Sequence, residues 1–249
     1  KDAPILLTAA DSIPKTTLDE ITRLKAKEII LIGGDLVITP RVEKELVSKG
    51  YKVTRIGGSN RKDTSLVIAK ELDKLVDVST VYVAYGWGEP DALSIAAQAG
   101  LKKQPIILAD KTSVPADTFA WLKSEKLTDA YFIGGESVIG SSILSEMDKI
   151  TSGNVLANRL SGVNRHETNA KVISKFYPEA ELKSILLAKS ETESLVDALA
   201  AGPLAAKLGS PVLLVSSSYG ILSSQRQALA GKQAKYVHQI GGGVNPLAV

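Results

Sequence analysis

The chain reads as an α/β protein assembled from three parallel-sheet modules, the first of them incomplete. Three observations point there. Short runs rich in Val, Ile and Leu alternate along the whole sequence with segments of helical period, the pattern of parallel strands joined by right-handed helical crossovers. The peptide Pro4-Ile5-Leu6-Leu7 returns as Pro105-Ile106-Ile107-Leu108 and again as Pro211-Val212-Leu213-Leu214, 101 and then 106 residues further on. An Ile-Gly-Gly follows each copy at a near-constant distance, at Ile32-Gly33-Gly34, Ile133-Gly134-Gly135 and Ile240-Gly241-Gly242. A period of this length exceeds that of solenoid repeats and is the size of a small domain.

The elements follow in order. Residues 5–8 are a first strand candidate, entered from Pro4, and 17–24 a helix with Leu18, Ile21 and Leu24 spaced three apart. Strand 28–32 ends on the first glycine pair, and strand 52–56 ends on the turn Arg55-x-Gly-Gly58-x-x-Arg61-x-x-Thr64. A helix over 65–72 carries Leu66, Ile68, Ala69 and Leu72 on one side. Strand 81–85 then runs into Gly86-Trp87-Gly88, and Asp91-Ala92-Leu93-Ser94 opens a helix. Strand 106–109, a helix after Pro115 and strand 130–133 complete the second copy. The third repeats this order. It has strand 155–160, the turn Arg159-x-Ser-Gly162-x-x-Arg165-x-x-Thr168, strand 184–188, Asp197-Ala198-Leu199-Ala200, and strands 212–215 and 236–240. The copies divide the chain into 1–54, the second half of module 1, then 55–157 as module 2 and 158–249 as module 3. Module 1 lacks the Arg-x-x-Thr and Asp-Ala-Leu elements, so its sheet is expected to be completed by segments outside this sequence or to show an open edge.

Composition narrows the class. Of 249 residues, 44% are hydrophobic and only 5% aromatic, which favours Val, Ile, Leu and Ala cores as in parallel sheets. Cysteine is absent, which removes disulfides, a thiol nucleophile and thiolate metal sites. No apolar run approaches the ~18 residues of a membrane span. The opening Lys1-Asp2-Ala3-Pro4 leads straight into a strand, which reads as a processed or trimmed chain. A net charge of +3 permits an anionic partner, but Lys and Arg are interleaved with acids on helix faces, as in Arg41-Val-Glu43-Lys44-Glu45, which argues against nucleic acid.

Four motifs in fixed order carry a family resemblance: Arg-x-Gly-Gly-x-x-Arg-x-x-Thr, Asp-Ala-Leu-x-Ala, Pro-Ile-Leu-Leu and Ile-Gly-Gly. Together they resemble the type 2 cell-wall-binding repeat of Gram-positive, especially clostridial, cell-wall and S-layer proteins, across essentially the whole chain. The resemblance implies Rossmann-like modules used in threes about a pseudo-threefold axis. It also implies a secreted surface protein held noncovalently to an anionic secondary cell-wall polymer. The sequence departs from the pattern where Ser161 replaces the Gly57 of the earlier copy, and where Pro90 precedes Asp91 but Val196 precedes Asp197.

Candidate ligand-binding residues lie where strands run into loops, the edge at which open α/β sheets bind ligands. The pairs Gly33-Gly34, Gly134-Gly135 and Gly241-Gly242 either present backbone N–H groups to an anion or only permit a tight turn. Arg61 and Arg165 suit bidentate contact with phosphate or carboxylate, or else pair within their own copies with Asp91 and Asp197. Thr64, Thr168, Asp91 and Asp197 each precede a helical pattern, so ligand contact competes with N-capping. Trp87 is either a sugar platform or a packing residue between modules, whereas Trp121 reads as core. The aligned loop 189–193 of the third copy has no aromatic, so the sites are not equivalent.

Catalytic candidates are thin. The two histidines, His166 and His238, occupy different motif positions, and Glu89 with Asp91 is the best acid and base pair although Glu193 and Asp197 are spaced differently. The expectation is an anchoring region without cofactor or metal, with the polymer and S-layer proteins as partners. The alternatives are a wall hydrolase on the same scaffold and a structural S-layer subunit making protein contacts.

Overall fold

A computed structural model of the chain describes residues 3–191 and 195–248, the side chains of Glu89 and Leu247 excepted. Its named strands form three separate sheets in which every strand pair is parallel. The first sheet joins β1 (Glu28–Ile32) to β2 (Lys52–Ile56), with α1 (Lys15–Arg23) and α2 (Pro40–Ser48) closing a small core of Ile21, Leu31, Val42 and Leu46. The second module runs α3 (Arg61–Asp73), β3 (Thr80–Tyr85), α4 (Glu89–Lys102), β4 (Ile106–Ala109), α5 (Ala116–Ser124), β5 (Asp129–Ile133), α6 (Ser141–Asp148) and β6 (Arg159–Leu160). Its sheet order is β4-β3-β5-β6. The third runs α7 (Arg165–Phe176), β7 (Glu181–Lys189), α8 (Leu195–Leu208), β8 (Val212–Val215), α9 (Ser223–Leu229) and β9 (Gln233–Gln239), in the order β8-β7-β9.

These are doubly wound sheets. In each complete module the first strand is central and the order reverses beside it, which opens a crevice at the carboxyl ends of β3 and β5, and of β7 and β9. Burial agrees with that place. Val81, Tyr82, Val83 and Ala84 are all buried, so β3 is covered on both faces, and its run of successive apolar residues follows from that. Trp121 packs half-buried against the same core as Phe132, Leu122 and Met147.

Helices α4 and α8, the two copies of the Asp-Ala-Leu helix, pack against each other along a seam of Leu93, Ala97, Leu195, Ala198, Ala201 and Ala205. Counterparts meet across it. A methyl group added at Gly100 would come within 2.8 Å of Ala206 Cβ, and one at Gly202 within 3.7 Å of Ala96 Cβ. Both pairs are 106 residues apart, the repeat offset, and residues facing their own counterparts lie beside a rotation axis. The pseudo-symmetric arrangement thus rests on small residues that let two helix backbones approach closely.

Three expectations change. Residues 5–8 are not a strand: the run aligned with β4 has no counterpart of β3 beside it among the described residues, and Ile5, Leu6 and Leu7 are exposed. A strand needs a ladder partner. The same absence leaves β1 as an open edge with Ile30 and Ile32 exposed. Of residues 155–160 only Arg159 and Leu160 pair, because Asn158 N–H donates to Val155 O in a turn. Finally, β2 pairs with β1 and β6 with β5, so the strand leading into each Arg-x-x-Thr turn completes the sheet of the preceding copy.

The helix caps are also not those expected. Asn60 Oδ1 accepts from Lys62 N and Asp63 N, and Asn164 Oδ1 accepts from His166 N and Glu167 N, so the asparagine one place before each repeated arginine is the N-cap. Asn60→Ala and Asn164→Ala should each cost about 1 kcal/mol in urea unfolding, and an unchanged midpoint in either would show the cap to be idle.

Candidate functional site

Two motifs build each module junction from the backbone upward. Arg55 Nη1 donates to Gly33 O at 2.9 Å and Ile38 O at 2.8 Å, and Arg159 Nη1 repeats this with Gly134 O at 3.0 Å and Ile139 O at 2.6 Å. These arginines clamp the glycine-pair turns. Both stand at the head of the repeated Arg-x-x-Gly turn, and that recurrence is the sequence signal for a role that sequence reasoning leaves unassigned. Within the turns, Gly33 N–H donates to Ile56 O and Gly134 N–H to Leu160 O, so the first amide of each pair is spent on the strand ladder. Their φ angles of +136° and +126° are open only to glycine.

The threonines act as ties. Thr64 Oγ1 accepts from Gly58 N at 3.0 Å and Thr168 Oγ1 from Gly162 N at 3.1 Å, holding the glycine turn onto the first turn of the helix. They lie inside α3 and α7 and are not the caps. Asp91 and Asp197 likewise sit on the third residue of α4 and α8.

The arginine and aspartate pairing differs from the expectation. Arg61 Nη1 donates to Gly86 O at 2.9 Å, and Arg165 Nη1 makes the counterpart bond to Ser190 O. The charge facing Asp91 is Arg165, which belongs to the next copy. Asp91 lies under its own glycine pair, since a methyl group at Gly134 would fall 2.8 Å from Asp91 Oδ2; Asp197 lies closer still under Gly241, where the distance would be 1.9 Å to its Oδ2. Desolvation raises the Asp91 carboxyl to about 6, and Arg165 only partly opposes that. Beside it, His166 Nε2 meets Ser190 Oγ at 2.8 Å, but Ser190 is only 2% exposed, and burial together with Arg165 holds the imidazole below its ordinary value. Residues 192–194, with Glu193, and the Glu89 side chain lie outside the described residues. Among the described residues no group of His, Cys, Asp and Glu is placed to hold a metal.

The junction of modules 1 and 2 is open. A cleft of about 700 Å³ runs from Gly33, Gly34 and Leu36 to Asn60, Arg61, Lys62 and Trp87. Trp87 is 60% exposed, and the Arg61 guanidinium lies over its ring at 4.2 Å, a cation–π contact that presents both groups at the cleft. Trp87 is thus not a buried packing residue.

The sequence matches the family model for cell wall binding domain 2 over residues 55–144 and 159–245. The chain belongs to the cell wall binding domain 2 family. Its fold superposes on Cwp6 from Clostridium difficile with a TM-score of 0.94 and 45% identity, covering 98% of this chain and 38% of that one. It superposes on Cwp8 from Clostridium difficile at 0.86 and 34%, covering 99% and 42%. Among curated proteins it is 25% identical to the N-acetylmuramoyl-L-alanine amidase LytC of Bacillus subtilis (strain 168), over 97% of this chain and 46% of that protein. It is 27% identical to the Amidase enhancer of the same organism, over 99% and 32%. The chain therefore spans less than half the length of these relatives.

Its cell wall binding modules are not interchangeable at their junctions. The position of Trp87 is taken in the third module by Glu191, whose carboxylate accepts from Ser217 N at 2.7 Å. Where one junction shows an arginine and an indole to solvent, the other turns its arginine toward a desolvated aspartate.

Proposed function

We propose that this region anchors a secreted surface protein to the cell wall by binding an anionic secondary wall polymer at the carboxyl edge of its sheets. The cleft between modules 1 and 2 is its principal contact. The observation that carries the reading is the exposed Arg61 stacked on Trp87 beside the glycine turn: a planar cation for phosphate or carboxylate next to an aromatic face for a sugar ring. Gly34, Gly135 and Gly242, the second glycines of the pairs, line or flank the carboxyl edge, with Arg165 and Asp197 supplying weaker contacts there. Weak sites on one rigid body facing a repetitive polymer gain effective concentration, so anchoring needs no single tight pocket. The repeats, bounded just after β2 and β6 rather than at residues 54 and 157, then act as the binding units. The amidase named among the relatives carries more than twice this length, and we assign cleavage to chain outside this region, with S-layer proteins as a second class of partner.

Retention of the chain on purified walls tests the reading. Arg61→Ala and Trp87→Ala should each weaken binding about tenfold, the loss of ~1.4 kcal/mol, while lowering stability by no more than the ~1 kcal/mol that the Arg61 contacts to Gly86 O and the indole supply. Wild-type binding should also fall as salt rises, because exposed charge contacts are screened over about 8 Å at physiological ionic strength. Full retention by both variants, or release of shortened polymer by the chain itself, would sink it.

A further inference from the structure

The strand leading into each Arg-x-x-Thr turn makes three contacts with the copy before it. Its backbone accepts from the first glycine of the pair, Gly33 N–H to Ile56 O and Gly134 N–H to Leu160 O. Its arginine, Arg55 or Arg159, clamps the glycine turn. Six residues on, the next arginine turns toward the helix-borne aspartate of that copy, as Arg165 faces Asp91. Module 3 has the sockets for all three and no occupant among the described residues. Ile240 N–H bonds Leu187 O, so in this parallel ladder the amides on either side of it, at Gln239 and Gly241, point away from β7. Gly241 is exposed, and its N–H meets no acceptor among the described residues. Gly241 O, the counterpart of the clamped carbonyls, is bonded by the exposed Gln239 carboxamide at 3.2 Å instead of by an arginine. Asp197 lies under Gly241 as Asp91 lies under Gly134, but among the described residues no arginine of another module faces it.

We propose that the free edge of β9 is the docking site for the strand and turn that lead into module 1, a segment of pattern Arg-x-x-Gly-x-x-Arg outside residues 1–249, and that its docking closes the three modules into a ring. One such segment fills every socket. Its carbonyl takes the Gly241 N–H, its first arginine the glycine turn and its second Asp197. The register follows from the other edges. Arg55 stands opposite Leu31 and Arg159 opposite Phe132, each two places before a glycine pair, so the arriving arginine stands opposite Gln239. Main-chain pairing then supplies the affinity, and the two arginines supply the choice of partner. The source follows from the order of the copies. β2 leads into module 2 and pairs in module 1, and β6 leads into module 3 and pairs in module 2, so the strand leading into module 1 is the one left for module 3. Head-to-tail contacts of this kind close when the rotation returns to its start. Closure also removes an exposed strand edge, with Tyr236 and Val237 each 51% exposed, that would otherwise template pairing between chains.

A synthetic peptide copying residues 157–168, added to the full chain and followed by amide NMR, tests this. The Gln239 and Gly241 amides should shift saturably, and peptides carrying Arg159→Ala or Arg165→Ala should bind at least tenfold more weakly. Against Asp197→Asn in the protein, the Arg165→Ala peptide should lose nothing further, which ties that arginine to that carboxylate. Unchanged amides at 239 and 241, equal binding of the alanine peptides, or shifts confined to Phe132 and Gly134, where the peptide would merely displace β6, would each overturn the proposal. Two measurements decide the source. Sedimentation should show a monomer with and without peptide, whereas self-association that the peptide reverses would seat a second copy on the edge. Restoring the chain before Lys1 should protect the Gly241 amide from hydrogen exchange; protection restored instead by chain after Val249 alone would overturn the ring.

Discussion

Asp91→Asn is expected to be more stable than the wild type by about 2–3 kcal/mol at pH 7 and no more stable near pH 3. The wild-type carboxyl is raised from 3.8 to about 6, because it is desolvated under Gly134 and Arg165 does not fully compensate. A folded-state value above the unfolded one means that the folded protein favours the protonated form. That contribution is complete below about pH 4 and is lost as pH rises through about 6. Two units at ~1.4 kcal/mol each set the size. Asparagine keeps the shape and cannot ionise, so its profile should lack this step. Urea unfolding across about pH 3 to 8 reads the difference directly, and other titrating groups cancel between the two proteins. Parallel profiles would show that Asp91 is well solvated or fully compensated by Arg165, and the electrostatic account of the second junction would fail.

Much of this architecture was legible because it is local and repeated. Every glycine pair follows a strand, or a strand and one further residue, and the Asp-Ala-Leu peptides do lie on helices. What could not be read was pairing between copies. Arg165 is about as near in sequence to Asp197, 32 residues, as Arg61 is to Asp91, 30 residues, and nothing in spacing says that the charge facing Asp91 comes from the following module. Residues 5–7 match the first three residues of β4 in character, yet a strand exists only where a neighbour bonds to it, and that neighbour is not among the described residues. The caps were missed for a different reason. Thr64 and Thr168 stand out as repeated hydroxyls, but an N-cap must precede the first helical residue, and the asparagines at 60 and 164 do. Trp87 was legible as a question only. Its flanking glycines allowed exposure, and the guanidinium of Arg61 decides its surroundings.

Gly134→Ala should destabilise the second module by about 3 kcal/mol, whereas Gly135→Ala should be neutral or slightly stabilising. Neighbouring glycines of one motif thus carry opposite expectations. Gly134 has φ +126°, where a side chain costs about 1–3 kcal/mol, and the added methyl would meet Asp91 Oδ2 and Val138 Cγ2, both at 2.8 Å. Gly134 cannot shift to relieve these contacts, because it is buried and its N–H and O are held by Leu160 and Arg159. Gly135 has no positive φ, and the nearest atom to an added methyl is Ser137 Oγ at 3.8 Å. There alanine mainly restricts the unfolded chain, a gain of about 0.4–1 kcal/mol. The pair also separates scaffold from ligand contact. If the second glycine lets a polymer approach the backbone, Gly135→Ala should lose wall retention while keeping its stability; retention equal to the wild type would confine the glycine pair to shaping the turn. Equal stability losses in both variants, measured by urea unfolding, would remove the distinction between the two glycines altogether.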